Sequence, residues 1–204
     1  NHMVRLIYIH DPMCSWCYAF TQSWTKLQET LSVNIPIISV VGGLASDTTE
    51  PMPLHTQKMV QQAWQKIEQT VPEVSFNWDF WTRNTPYRST YLACRAVLAA
   101  KKQQQTSEVE MIRAIQTAYY QKAKNPSLSE TLQECAREVQ FAKDLASAEI
   151  DSELHEEIQF ARSLDVSSYP SLRLQHNDSL HVIAVDYRDH RTMLQQINSI
   201  VQEL

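Results

Sequence analysis

Glycine is nearly absent from this chain of 204 residues: the two copies stand together at Gly42 and Gly43. No glycine-rich loop is therefore available to cradle the phosphates of a nucleotide, which argues against the common kinds of nucleotide chemistry. Dense runs of lysine or arginine are also missing, and the formal net charge of −5 argues against nucleic acid as a partner. No apolar run approaches the length of a membrane span, so no membrane association is expected.

Cysteine is sparse, and the four copies do not suggest a disulfide framework. Cys14 and Cys17 lie close together, whereas Cys94 and Cys135 are isolated in helical patterns and are interpreted as ordinary buried thiols. Strand-like sequence begins directly after Met3, with no charged and apolar leader before it. This start favours a cytoplasmic protein over one that has lost a signal peptide, and in that compartment the cysteines would rest largely as thiols.

The first 43 residues have the pattern of a strand, a helix and a second strand. Residues 4–10 form a short β-type run that is ended by Asp11 and Pro12, because proline cannot donate to a sheet. Residues 35–41 form a run rich in Ile and Val, typical of a strand covered on both faces. The helix between them has apolar residues at spacings of three and four: Cys17, Phe20, Trp24, Leu27 and Leu31. This order predicts a parallel βαβ unit that the two glycines close.

Beyond this unit, residues 53–163 have helical spacing and predict roughly five or six helices, one of them capped by Asp151. Alternation in residues 171–174 and 180–185, with a turn between them, predicts an antiparallel hairpin. A final helix is indicated by an apolar stripe at helical spacing: Leu194, Ile197, Val201 and Leu204.

The predicted class is therefore α/β, with β-α-β plus β-β-α around a mixed sheet and a large all-helical insertion. Residues 3–43 and 151–204 are expected to form one discontinuous domain, and residues 44–150 the insertion.

The sequence Cys14-Ser15-Trp16-Cys17 lies between the first strand and the first helix. A helix start has unpaired N–H groups and partial positive charge, which favour a thiolate and so a reactive cysteine. Cys17 falls on the buried stripe, and Cys14 is expected at the open end of the helix. Disulfide exchange needs this asymmetry, with an accessible sulfur that attacks and a sheltered one that resolves.

The pair allows two other interpretations. Zinc binding would need further ligands, and no second C-x-x-C or H-x-x-x-H motif is present. A purely structural disulfide over this spacing would close too small a loop to stabilise the chain much.

Residues 11–18 resemble the active-site stretch of the DsbA-like thioredoxin-fold family, specifically its FrnE-like branch. Residues 164–172 are similar to the family's cis-proline loop, and residues 84–90 and 93–97 resemble its helical insertion. The loop lacks the glycines that family members often carry, but Asp165 tolerates the left-handed backbone that a helix end there would need.

This resemblance implies a thioredoxin-like core and an oxidoreductase or isomerase acting on protein or peptide thiols through Cys14 and Cys17. It also implies a cis bond between Tyr169 and Pro170, with these two residues and Ser15 and Trp16 contacting the substrate. No cofactor or metal is expected, and glutathione is a candidate redox partner. The alternative function is a glutathione-dependent transferase or isomerase of small aromatic molecules, although related branches with that activity typically have serine in place of the attacking cysteine.

Two further features have open interpretations. His10, at the end of the first strand, would favour a thiolate if its ring were protonated, or would be hydrogen-bonded locally. Trp78, Phe80 and Trp81 are expected to pack in the core, the alternative being a lining of the substrate groove.

Overall fold

The structure is a computed structural model that describes residues 3–139 and 147–204. A π-helical segment, Thr117–Gln121, continues the fifth helix. In chain order the strands and α-helices are β1 (Val4–His10), α1 (Ser15–Thr30), β2 (Ile37–Val41), α2 (Leu54–Thr70), α3 (Phe80–Arg83), α4 (Tyr91–Gln103), α5 (Gln105–Gln116), α6 (Ser129–Glu138), α7 (Ala148–Ser163), β3 (Ser171–His176), β4 (Ser179–Ile183) and α8 (His190–Gln202).

The strands form a mixed sheet in the order β2-β1-β3-β4. β1 runs parallel to β2 and antiparallel to β3, and β3 and β4 form the predicted hairpin. The predicted βαβ unit and mixed sheet are thus confirmed. The prediction that β2 is covered on both faces is wrong for its first half, because β2 is an edge strand in which Ile37, Ile38 and Ser39 are half-buried.

Helices cover both faces of this sheet. On one face α1 and α8 pack over Leu172 and Leu174, and on the other α7 packs over Ile7 and Ile9. The predicted stripe of α1 is confirmed, since all five of its residues are buried. The stripe of α8 differs from the prediction, because Met193 joins Ile197 in the core while Leu204 follows the end of the helix and is exposed.

The helical block between β2 and β3 has its own core around the fully buried Trp64 of α2. The ring centroids of Trp78 and Trp81 each lie 5.3 Å from that of Trp64, and the centroid of Phe80 lies 6.2 Å away. The expectation of core packing therefore describes these three residues better than a groove lining.

Helix α7 begins before the residue expected to cap it. The hydroxyl of Ser147 accepts a hydrogen bond from the N–H of Ile150, which is an N-cap, while Asp151 lies in the first turn and pairs with Arg95. The predicted cap at Asp151 is thus wrong, and the predicted domain boundary at residue 151 falls inside a helix that packs against β2 and α4. The division into domains stays a prediction, and residues 140–146 of the proposed insertion lie outside the described residues.

Candidate active site

The cysteine pair lies where β1 gives way to α1. Cys14 is the N-cap of α1, and its sulfur accepts a hydrogen bond from the N–H of Cys17 at 3.4 Å. Cys17 is 2% exposed and Cys14 is 7% exposed, so the expected order holds but Cys14 does not stand at an open end. The reason is tertiary: the loop before β3 and the helical block both reach over the start of α1.

Burial controls the chemistry of Cys17. Removal from water raises the pKa of the Cys17 thiol well above its ordinary value, and the neighbouring Cys14 adds to the shift. The Tyr8 hydroxyl, from β1, lies near the Cys17 side chain, and its own pKa is raised by burial and by the two cysteines. Cys17 is therefore held as a thiol beside a proton-bearing group.

The loop before β3 supplies the wall opposite the cysteines. The Tyr169–Pro170 peptide bond is cis, as predicted. The thiol of Cys14 donates to the carbonyl oxygen of Tyr169, with 3.4 Å between sulfur and oxygen. Asp165 adopts a φ of 58°, which confirms that it occupies the left-handed backbone at the end of α7.

Gly42 allows this loop to approach. The Tyr169 hydroxyl donates to the carbonyl of Gly42 at 3.1 Å, and its ring lies so close that a Cβ on Gly42 would stand 2.0 Å from a ring carbon. Gly43 has a φ of +67°, a conformation that favours glycine. Gly42, which the sequence presents as part of the end of a βαβ unit, is therefore also the residue that makes room for the Tyr169 ring.

Asp11 is a candidate site residue that the sequence does not reveal, because its local pattern indicates only a turn after β1. Its carboxylate is fully buried and accepts hydrogen bonds from the N–H groups of Met13 and Leu44, each at 2.8 Å. The same carboxylate accepts from the Thr90 hydroxyl at 2.7 Å and from the Cys94 thiol at 3.4 Å. Asp11 thus ties the active-site turn to the loop after β2 and to the start of α4.

Cys94 and Cys135 are both buried, as expected. Burial raises the pKa of Cys94 well above its ordinary value, and the Asp11 carboxylate adds to the shift. Burial also raises the pKa of Cys135, to about 11.

The two residues between the cysteines, Ser15 and Trp16, contact different parts of the molecule. The hydroxyl of Ser15 accepts a hydrogen bond from the indole N–H of Trp64 at 2.8 Å, which joins the helical block to the active-site turn. Trp16 is half-buried, and its ring centroid lies 5.0 Å from that of Tyr187. The predicted contact of Ser15 and Trp16 with substrate stays a prediction.

His10 does not act as the protonated neighbour of a thiolate. The ring is buried and stacks on Tyr8, and burial together with the charge of Lys101 lowers its pKa to about 4. The imidazole is therefore neutral at physiological pH, and the hypothesis of a protonated ring is wrong.

A cavity of about 310 Å³ opens beside Cys14 and extends to Tyr169. Its wall carries the thioether side chains of Met13, Met52 and Met59. Arg88 is the only Asp, Glu, Lys, Arg or His among the described residues that line it.

A second cavity, of about 560 Å³, is lined by Cys17 and lies between the sheet and the helical block. It has a different chemistry, because Tyr8, His10, Lys101 and Glu108 all line it. The ammonium group of Lys101 donates to the carbonyl of Ser39 at 3.0 Å and pairs with Glu108 at 3.4 Å.

Within residues 3–139 and 147–204, no three His, Cys, Asp or Glu side chains form a group that could hold a metal ion. Zinc binding by the cysteine pair therefore lacks a ligand set in that part of the chain. None of the helices formed by these residues is long and apolar enough to cross a membrane.

The comparisons with known proteins agree with this geometry. A family model described as Thioredoxin matches residues 7–190. This chain belongs to the thioredoxin family. No curated protein matches it by sequence.

Solved structures share the fold over nearly the whole chain. A candidate protein disulfide isomerase from Nitrosomonas europaea has a TM-score of 0.83 and 20% identity, with 98% of each chain covered. The cytosolic disulfide reductase DsbM from Pseudomonas aeruginosa has a TM-score of 0.74 and 18% identity, with 98% of this chain and 100% of that chain covered. A provisional DsbA oxidoreductase from Streptomyces coelicolor has a TM-score of 0.73 and 14% identity, with 98% of this chain and 91% of that chain covered. The predicted DsbA-like thioredoxin fold is confirmed, and the FrnE-like branch stays a prediction.

Proposed function

We propose that this protein is a thiol–disulfide oxidoreductase that exchanges disulfides with protein or peptide substrates through Cys14 and Cys17. The observation that carries the proposal is the position of the Cys14 sulfur, at the start of α1 and 3.4 Å from the Tyr169 carbonyl on the wall of a cavity. Membership of the thioredoxin family supports it.

In the reducing direction, the thiolate of Cys14 attacks one sulfur of a substrate disulfide. The other substrate sulfur leaves as a thiolate and takes up a proton, and a mixed disulfide with Cys14 remains. Cys17, deprotonated, then attacks the sulfur of Cys14, which releases the second substrate thiol and leaves a Cys14–Cys17 disulfide. Two electrons have passed from the protein to the substrate, and the reverse sequence oxidises a substrate dithiol.

The surroundings of Cys14 suit an extended peptide. The backbone of Tyr169 faces the sulfur, where it can pair with a substrate strand while Pro170 begins the turn into β3. Methionine side chains adapt to ligands of different shape, so the cavity wall favours a range of neighbouring side chains. Trp16 lines the same cavity and supplies apolar contact area.

Glutathione is the redox partner that we propose, in a cytoplasmic setting. The structurally similar DsbM is a cytosolic disulfide reductase that has also been solved with GSH, with a TM-score of 0.74 and 18% identity to this chain. Redox exchange is favoured over a glutathione-dependent transferase or isomerase because a second thiol is available on Cys17, whose backbone N–H is hydrogen-bonded to the Cys14 sulfur.

The test is a trapping experiment with single cysteine variants. Cys17→Ser should accumulate mixed disulfides with client proteins, because the resolving thiol is gone, while Cys14→Ser should trap few or none. Adding Cys135→Ser to the Cys17→Ser protein is the matched control, since Cys135 is buried on α6 and should not change the yield. Equal trapping by Cys14→Ser and Cys17→Ser would refute the assignment of roles.

A further inference from the structure

Arg88 is an isolated charge in the cavity beside Cys14. The cavity is otherwise lined by apolar, aromatic and uncharged polar side chains and by the Cys14 thiol. The guanidinium has no hydrogen bond or ion pair with a described residue, although the residue is half-buried. Burial raises the pKa of Tyr119, another wall residue, and the charge of Arg88 opposes that rise at longer range.

Two other arginines of the helical block each have a carboxylate partner. Arg83 pairs with Asp79 at 3.1 Å, and Arg95 pairs with Asp47 at 2.9 Å. A guanidinium that is partly removed from water without an anion has lost part of its solvation and gained no counter-charge in return. Its fork of N–H donors matches a carboxylate, which it can bind with two parallel hydrogen bonds.

We propose that Arg88 binds a carboxylate of the thiol or disulfide substrate and makes the site selective for anionic partners. The proposal rests on the proposed function and names its substrate class. A volume of about 310 Å³ lies at the lower end of the range for small-molecule sites. Glutathione, which has free carboxylates, and a peptide with Asp or Glu beside its cysteine both carry the required chemistry.

The net charge of the chain does not favour anionic substrates, so the proposed selectivity depends on the charges close to Cys14. At −5, the protein as a whole repels anions. A preference for an anionic disulfide then needs positive charge near Cys14, and besides the start of α1 the described residues lining that cavity offer one cation, Arg88.

The experiment is a single-turnover oxidation of the reduced protein, followed by alkylation of the remaining thiols and mass measurement. Glutathione disulfide is compared with hydroxyethyl disulfide, which is uncharged, over a range of concentrations. In Arg88→Gln the half-saturating concentration of glutathione disulfide should rise about 10- to 100-fold, the range expected for a charge-assisted hydrogen bond. The value for hydroxyethyl disulfide should not change, and Arg88→Lys should fall between the native protein and Arg88→Gln.

Arg83→Gln is the matched control, because it removes the same charge from an exposed ion pair whose residues do not line the cavity. It should leave the reaction with both disulfides unchanged. Two disulfide-linked peptides, with Glu or Gln beside the cysteine, identify the source of the carboxylate. A defect of Arg88→Gln with the Glu peptide as well as with glutathione disulfide extends the selectivity to acidic proteins, and a defect with glutathione disulfide alone confines it to the small thiol.

The two proposals fail in different ways. If neither disulfide oxidises the native protein, the proposed function is wrong. If both disulfides react and folded Arg88→Gln and Arg88→Lys proteins match the native protein with glutathione disulfide, the role of Arg88 is refuted while the oxidoreductase stands.

Discussion

The sulfurs of Cys14 and Cys17 are one helical turn apart, yet they face two unlike cavities. The cavity beside Cys14 is lined by methionines and aromatic rings and carries the single cation Arg88. The cavity beside Cys17 holds Tyr8, His10 and an ion pair of Lys101. One environment suits contact with a partner, and the other contains groups that bind and release protons. A shared motif therefore does not give its two thiols a shared chemistry.

The largest expected effect is a pH dependence of stability that arises on the Cys17 side. Burial lowers the pKa of His10 to about 4 and raises the pKa of Glu157, which pairs with Lys101, to about 7. Below pH 6.5 the unfolded chain protonates His10 while the folded protein does not, so this contribution to stability is lost as the pH falls toward 4. Above pH 4.5 the unfolded chain ionises Glu157 while the folded protein keeps it protonated. The contribution of Glu157 to stability is therefore lost as the pH rises toward 7.

Two variants separate these opposing contributions. Relative to the native protein, Glu157→Gln should gain about 3 kcal/mol of unfolding free energy between pH 4.5 and 7, and His10→Phe should lose about 3 kcal/mol between pH 4 and 6.5. Urea unfolding at several pH values measures both. Asp11, whose pKa burial also raises, cancels in these differences because it acts on neither residue. Parallel pH profiles for all three proteins would contradict the prediction.

A smaller effect is expected on the Cys14 side, from Ser15→Ala. The variant leaves the buried indole N–H of Trp64 without its acceptor, which should lower the free energy of unfolding by about 1–3 kcal/mol. Ser168→Ala is the control, because this exposed residue lines the same cavity and should change stability by less than about 0.5 kcal/mol. Denaturant unfolding compares the two, and equal stabilities would mean that Ser15 does not anchor the helical block.

The smallest effect is expected from Tyr8→Phe, which removes the hydroxyl beside Cys17. A hydrogen bond from this hydroxyl to the attacking Cys17 thiolate would be worth about 1 kcal/mol, so its loss should slow the release of a substrate trapped on Cys14 roughly fivefold. Quenched samples of the mixed disulfide, separated by mass, give this rate. Tyr18→Phe is the control, since Tyr18 lies on α1 but its hydroxyl accepts from Gln121. A defect in forming the mixed disulfide, rather than in resolving it, would mean that Tyr8 acts on Cys14 and not on Cys17, which would contradict the prediction.

The site residues divide by how far their partners lie along the chain. Cys14 and Cys17 were predictable because a short motif and the strand and helix around it are local features. Tyr169 and Pro170 are predicted from a family resemblance, and the contact between Tyr169 and Cys14 spans 155 residues of sequence. Asp11 was missed because its partners Leu44, Thr90 and Cys94 come from distant segments, and its only local signal is an acidic residue just before the cysteine motif.

The sequence alone determined the elements and their order, because periodicity, proline and glycine act over a few residues. It predicted the buried stripe of α1 and the antiparallel hairpin of β3 and β4. Tertiary structure decided the rest: the neutral state of His10, the shielding of Cys14 and the isolation of Arg88 in its cavity. Solvation and charge depend on which distant segments close over a residue, and no local pattern encodes that packing.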